Sequence, residues 1–336
     1  MFRVGFGKSG RYCDGVSRRH FLQVGVAGMG AASLSQILHA KENAEQQGVK
    51  AKDTSVILLW LDGGPSHMDT YDMKPDAPLE NRGIWNPIHS NVPGMDITEM
   101  FPLQAKCADK FSLVRSLHHN TGDHFTGGHW MLTGRGGVSG GSTPGLNPSI
   151  ASMATKVLGP RDPSMPAYVS VPYASSIGLR PGYFGGNFLG VQHDPFETDS
   201  DPNNKDFQVK NLNLAGGLSI ERLKERKELL KTFDQLRKDV DQSGMLSSMD
   251  RLDQKAYEMV TGDKARQAFD LNSEDEKIRE QYGRHTWGQS VLLARRLVEA
   301  GTTFVTVHFG GWDHHWNLQS GYENYLPRVD QAGLRA

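Results

Sequence analysis

The segment Ser55-Val-Ile-Leu-Leu-Trp-Leu61 carries no charge and stops abruptly on Asp62, Gly63, Gly64 and Pro65. Its length and apolar content predict a strand buried on both faces, as in a parallel sheet. Such a strand needs helices on both sides, which points to an α/β fold. A carboxylate directly after an apolar run is costly unless it is paired or metal-bound. The C-terminal ends of strands are also where α/β sheets put their ligand chemistry. The pattern returns near the end of the chain. Thr303 to His308 is a strand in the same style, and it runs into Gly310, Gly311, Trp312, Asp313, His314 and His315.

Between these runs, Phe111–Leu117 and Ala167–Val171 are further strand candidates. Residues 134–148 and 182–205 are rich in Gly, Asn, Pro and Ser and read as loops. Ser219–Val240 has apolar residues at three-to-four spacing and a charged opposite face, the pattern of an amphipathic helix. Leu246–Leu271 reads as helical too, giving a helical insertion at about residues 218–272. Ser273 and Glu276 have the spacing of a capping box, and Gly283 is placed to break that helix. A helix follows from Thr286 to Ala300 with Gly301 as its C-cap, and Tyr325–Ala336 reads as the last helix. The 336 residues therefore suit one large α/β domain over 54–336 behind a short N-terminal segment.

That N-terminal segment reads as an address. Ser17-Arg18-Arg19-His20-Phe21-Leu22-Gln23 precedes a weakly apolar, Gly/Ala-rich stretch reaching about Leu38. Residues 1–40 thus match a twin-arginine export signal, with a polar linker at 41–53. Gly25, Gly28 and Gly30 interrupt the stretch, so it makes no stable membrane span. The expectation is a periplasmic or extracellular protein whose first partner is the twin-arginine export machinery. Lys+Arg (37) and Asp+Glu (38) nearly cancel, which leaves no electrostatic footprint for nucleic acid. Two cysteines exclude a disulfide scaffold and a cysteine-rich zinc module.

Three polar clusters carry the chemistry. The first holds Asp62, His67, Asp69 and Asp72, with Asp69 and Asp72 read as solvated turn acids. The second holds His118, His119, Thr121, Asp123, His124, Thr126 and His129. The third holds His308, Asp313, His314 and His315, with His308 read as structural. Asp and His together suit a divalent metal, and clusters at several strand ends would converge on one sheet edge. Such a centre would polarise a phosphoryl or sulfuryl oxygen and activate a bound water. His124 and His129 would contact the ester oxygens or protonate the leaving group. Thr126 and Thr121 are the available hydroxyls.

The motifs Leu61-Asp62-Gly-Gly-Pro-Ser-His67-Met-Asp69, Gly122-Asp123-His124 through His129-Trp-Met-Leu-Thr133-Gly134, Leu293–Gly301 and Gly311-Trp312-Asp313-His314-His315 resemble the exported bacterial family called domain of unknown function 1501. That family is similar to sulfatases and alkaline phosphatases. The resemblance implies a sulfatase-like, mostly parallel sheet flanked by helices, with a divalent metal (Zn, Ca or Mn) at the strand ends. It implies Asp62 as the first-strand metal aspartate and Asp313 with His315 as a later pair. His67 completes the expected metal set. His124, His129 and Thr126 are the expected catalytic residues, since Thr126–Gly134 falls where the superfamily carries its nucleophile. The sulfatase nucleophile motif itself is missing. The family pattern continues beyond Ala336, so the chain reads as truncated at its C-terminus. The expected activity is hydrolysis of a small-molecule or glycan sulfate or phosphate ester. The alternative is a non-catalytic secreted binding protein that keeps the fold with an incomplete metal site.

Overall fold

The computed structural model describes residues 54–136, 147–209, 256–260 and 262–333, together with Asn43, Leu212, Arg222 and Glu225. The export-signal stretch, nearly all of the 41–53 linker, residues 137–146 and most of the Ser219–Val240 helix lie outside the described residues. The chain divides after Thr54, and the unit Ser55–Ala336 holds the sheet and the helices around it.

Among the described residues four strands form the main sheet. They are β1 (Val56–Leu61), β4 (Tyr168–Val171), β5 (Phe196–Glu197) and β6 (Phe304–Phe309), in the order β1-β6-β4-β5. All three pairings are parallel, with Trp60 opposite His308 and Val171 opposite Val307. A separate hairpin pairs β2 (Pro87–His89) with β3 (Asp96–Thr98). The helical elements include α1 (Pro102–Ala105), α2 (His124–Thr133), α3 (Ile150–Leu158), α4 (Asp263–Phe269), α5 (Glu276–Tyr282), α6 (Thr286–Ala300) and α7 (Leu318–Gly333).

The period of two explains why the strands are apolar throughout. Ile57, Leu59 and Leu61 of β1, with Val305, Val307 and Phe309 of β6, pack into the core that holds Val291, Leu292, Leu293 and Leu297 of α6. Leu58 and Trp60 face the opposite side, where Leu132 of α2 and Ala151 of α3 meet Tyr183, Phe184, Tyr168 and Phe304. The chain is therefore α/β, with helices on both faces of a parallel sheet.

The helix ends follow the sequence closely in one place and not in another. Gly301 closes α6 in the left-handed conformation, and its N–H donates to Leu297 and Val298. Gly283 ends α5 as expected. The capping box does not form. Asp275 caps α5 by accepting from the Lys277 N–H, while the Ser273 hydroxyl donates to the Asp270 carbonyl in the preceding turn. The last helix starts at Leu318, earlier than Tyr325, because Leu318 and Tyr325 pack with buried Tyr322, Leu326 and Val329 in the main core.

Two expectations are corrected. Phe111–Leu117 is not a strand: it pairs with no strand of either sheet, and Val114, Arg115 and Leu117 stay exposed. Asp69 is not solvated. It is buried, and its Oδ1 accepts the Ile84 N–H at 2.9 Å. Of the expected helical insertion, residues 256–260 and Asp263–Phe269 are helical, and most of the remainder lies outside the described residues.

Candidate metal centre

Because β1, β6 and β4 run parallel, their C-terminal ends share one edge of the sheet, and the site is built there. The β1–β6 ladder continues past β1. The Asp62 N–H donates to the Phe309 carbonyl at 2.9 Å, and the Trp312 N–H donates to the Asp62 carbonyl at 3.0 Å. This seats the strap between β6 and α7 against Gly63. Gly63 has φ +105°, and a Cβ there would lie 2.5 Å from the Asp313 backbone nitrogen. Only glycine allows the two segments to meet.

The strap alternates. Trp312 is buried among Trp287, Tyr322 and Tyr325. His314 packs edge-on against Tyr322 and Tyr325, in space that a Cβ on Gly321 would occupy. With Trp312 and His314 turned inward, Asp313 and His315 are left on the outside of a strap that turns tightly at Asp313, where the His314 N–H donates to the Trp312 carbonyl at 3.0 Å.

The third donor comes from the start of α2. Asp123 caps this helix, and its Oδ1 accepts from both the backbone N–H and the hydroxyl of Thr126 at 2.7 Å. His124, the first helical residue, then places Nε2 3.1 Å from Asp313 Oδ1. His315 Nε2 lies 2.8 Å from the same oxygen. Donor atoms of His124, Asp313 and His315 all fall within 4.8 Å of one another. Ligands at about 2.0–2.2 Å around a tetrahedral zinc are separated by roughly 3.3 Å, so small side-chain adjustments would suit the three donors to one ion. Two imidazoles and one carboxylate form a zinc-type donor set, whereas calcium takes six to eight oxygens.

Asp62 does something else. It is only 4% exposed. Its Oδ1 accepts from the Ser176 hydroxyl at 2.6 Å and from the Trp60 indole N–H at 3.2 Å. Its Oδ2 accepts from the Ile177 N–H at 2.7 Å. His308 Nε2 lies 3.3 Å from Oδ2 without the alignment of a hydrogen bond. Burial pushes the Asp62 carboxyl up, but His308, Ser176 and the Ile177 N–H together hold it below the usual carboxylate value. The carboxylate therefore ties the end of β1 to the loop after β4. That loop turns at Ile177, a β-branched residue held at φ +48°, a conformation that costs about 1–2 kcal/mol.

Asp62 and Ser176 also line a cleft of about 260 Å3 with His119, Thr121, Asp123 and His124. The remaining expected site residues are not gathered there. His67 is exposed in the turn His67–Asp69 and is not part of the three-donor group. His129 is buried, with Nδ1 2.8 Å from the Arg135 carbonyl, and does not line the cleft. The Thr126 hydroxyl is engaged with the capping Asp123. Sequence reasoning assigned His124 to catalysis and not to the metal. It missed Ser176 and His308 as partners of Asp62. His308 had a readable signal, because it shares strand parity with Trp60 beside it. Ser176 had none.

A family model described as "Protein of unknown function (DUF1501)" matches residues 53–334. No curated protein and no solved structure matches the chain.

Proposed function

The chain belongs to the family of unknown function DUF1501, and we propose that it is an exported, metal-dependent hydrolase of sulfate or phosphate esters. The observation that carries this reading is the convergence of His124, Asp313 and His315 at the ligand-binding edge of a parallel sheet. These three residues would hold one divalent ion, zinc before calcium or manganese. Bound there, the ion would supply a Lewis acid for the ester oxygen and a water of pKa near 7. His124 is half-buried and Asp313 and His315 are exposed, so an ester can approach from the open side. His119 lines the adjoining cleft. In this proposal it hands the proton to the leaving oxygen, the role the sequence motifs suggested for His124 and His129. Asp62 fixes the cleft floor. The sulfatase-like ancestry and the twin-arginine route to the periplasm or exterior are part of the same proposal, supported by the strand-end motifs and the Arg18-Arg19 leader.

One observation favours a second reading, a secreted protein that keeps the fold and binds an anion or glycan without turnover. The hydroxyl in the expected nucleophile segment, on Thr126, is tied to Asp123. Metal analysis of the purified full chain beside His124→Ala and Asp313→Ala tests the centre. Near-stoichiometric zinc that both variants lose, with zinc-dependent release of 4-nitrophenol from its sulfate or phosphate ester, supports the hydrolase. Zinc binding without turnover of either ester moves the weight to the binding protein. A folded chain that takes up no metal overturns the centre.

A further inference from the structure

Helix α3 is built inside out. It buries small residues, Ala151, Ser152 and Thr155, with Ala151 packed on Tyr168 and Phe304 of the sheet. Its large apolar residues face away: Ile150 is 56% exposed and Val157 83%, with Met153 and Leu158 exposed as well. Ile150, Met153 and Val157 recur at i, i+3 and i+7, so they form one stripe along the helix. Hydrogen bonds keep the helix from rolling that stripe inward. The Ser152 hydroxyl donates to the His193 carbonyl at 2.7 Å, and the Ser149 N–H donates to the Gly185 carbonyl at 3.0 Å. Asn187 adds a third tie, donating to the Asn147 carbonyl at 2.8 Å. The same bonds hold the turns Asn187–Leu189 and Val191–His193 beside the start of α3. There Phe188 is 73% exposed and Val191 67%. Lys156 is the one charged residue of α3. A helix that is apolar on both faces is a helix covered on both.

We propose that this face is where two copies of the chain meet, with their α3 helices crossing antiparallel about a two-fold axis. The inference stands apart from the metal centre and from any activity. Area is the first argument for a second copy. Weighted by their exposure, Ile150, Met153, Val157, Leu158, Phe188 and Val191 offer on the order of 700 Å2, above the ~300–600 Å2 of the largest patch on a typical monomer. That is close to the ~800 Å2 which each partner buries in a standard stable interface. Chemistry is the second. An identical copy presents the same apolar stripe, so the two surfaces match at a two-fold contact without any further design. Charge is the third. Lys156 lies toward the end of α3, while Asp194 is exposed beside its start, next to the His193 that Ser152 holds. Antiparallel crossing brings the basic end of each copy to the acidic end of the other, which favours this register over a parallel one.

The test is sedimentation equilibrium of the purified full chain across the micromolar range, on wild type, Met153→Glu, Met153→Lys and Val114→Glu. Met153 sits in the middle of the stripe, and Val114 is an equally bare apolar residue outside it. The expected result is a wild-type dimer whose dissociation constant rises at least tenfold in Met153→Glu and in Met153→Lys, with the circular dichroism spectrum unchanged. Val114→Glu should leave the dimer intact, and mixing the Met153→Glu and Met153→Lys chains should restore it. A wild type that stays monomeric overturns the proposal. If Met153→Glu then also melts at a lower temperature than that monomer, another part of the chain covers the stripe. A dimer that survives both Met153 substitutions with its affinity unchanged overturns the proposal too, since the copies would then meet elsewhere.

Discussion

Replacing Asp62 with alanine separates two roles that the sequence alone leaves merged, metal ligand and fold anchor. In the folded chain three donors lose their acceptor: the Ser176 hydroxyl, the Ile177 N–H and the Trp60 indole N–H. A buried donor left unsatisfied costs about 1–3 kcal/mol. Ser176 lines the cleft and can turn to water, so it counts at the low end. The Trp60 bond, at 3.2 Å, also counts low. Release of the left-handed Ile177 returns part of its strain. The expected net loss is about 3–4 kcal/mol, or roughly 10 °C in Tm for a unit of this size. The assay is urea unfolding of the metal-free full chain, read as a lower midpoint at unchanged slope, beside zinc analysis of the folded variant. Asp62→Ala should be much less stable yet still take up zinc. A variant that loses less than about 1 kcal/mol and no longer binds zinc would refute the anchor and make Asp62 a ligand.

Zinc at about a hundred times its Kd should stabilise wild type by about 2.7 kcal/mol, and thermal melts should show this gain abolished in Asp313→Ala. His285 caps α6 by accepting the Gly288 N–H on Nδ1, and burial lowers its pKa from 6.5 to about 4. Between those values the unfolded chain binds the extra proton, so stability is full above about pH 6.5 and falls as pH drops toward 4, by about 2–3 kcal/mol. His285→Asn keeps the cap and should flatten that limb in melts across this range. Gly63→Ala forces a Cβ to within 2.5 Å of the Asp313 nitrogen at φ +105°, and should cost more than about 2 kcal/mol as well as zinc affinity. Thr126→Val removes one hydrogen bond to the cap and should cost about 1 kcal/mol in urea unfolding, with ester turnover unchanged.

The sheet was legible because β1 and β6 are apolar on both faces, which a half-exposed strand is not. Phe111–Leu117 carries that signal only in part, since Ser112, Arg115 and Ser116 interrupt its apolar residues. The order β1-β6-β4-β5 leaves that segment outside the sheet with Val114, Arg115 and Leu117 exposed, and no periodicity in a single segment reports which neighbours it will find. The capping box failed for a related reason. Ser273 and Asp275 compete for the same helix start, and the nearer acid took it while the serine closed the turn before.

The candidate site was legible as three clusters but not as a ligand set, and the reason lies in how each cluster is anchored. Asp62 and Asp313 both follow apolar strands, so local sequence gives them the same standing. The difference is made elsewhere, by Ser176 and Ile177 supplying donors that occupy Asp62 while Asp313 meets the imidazoles of His124 and His315, which an ion can share. His124 joins Asp313 because Asp123 fixes the first turn of α2, a local signal visible in the sequence. Its target, however, lies on a strap almost two hundred residues away. The strap did carry its own code. Trp312 and His314 pack against Tyr322 of α7, which leaves Asp313 and His315 exposed for His124 to meet.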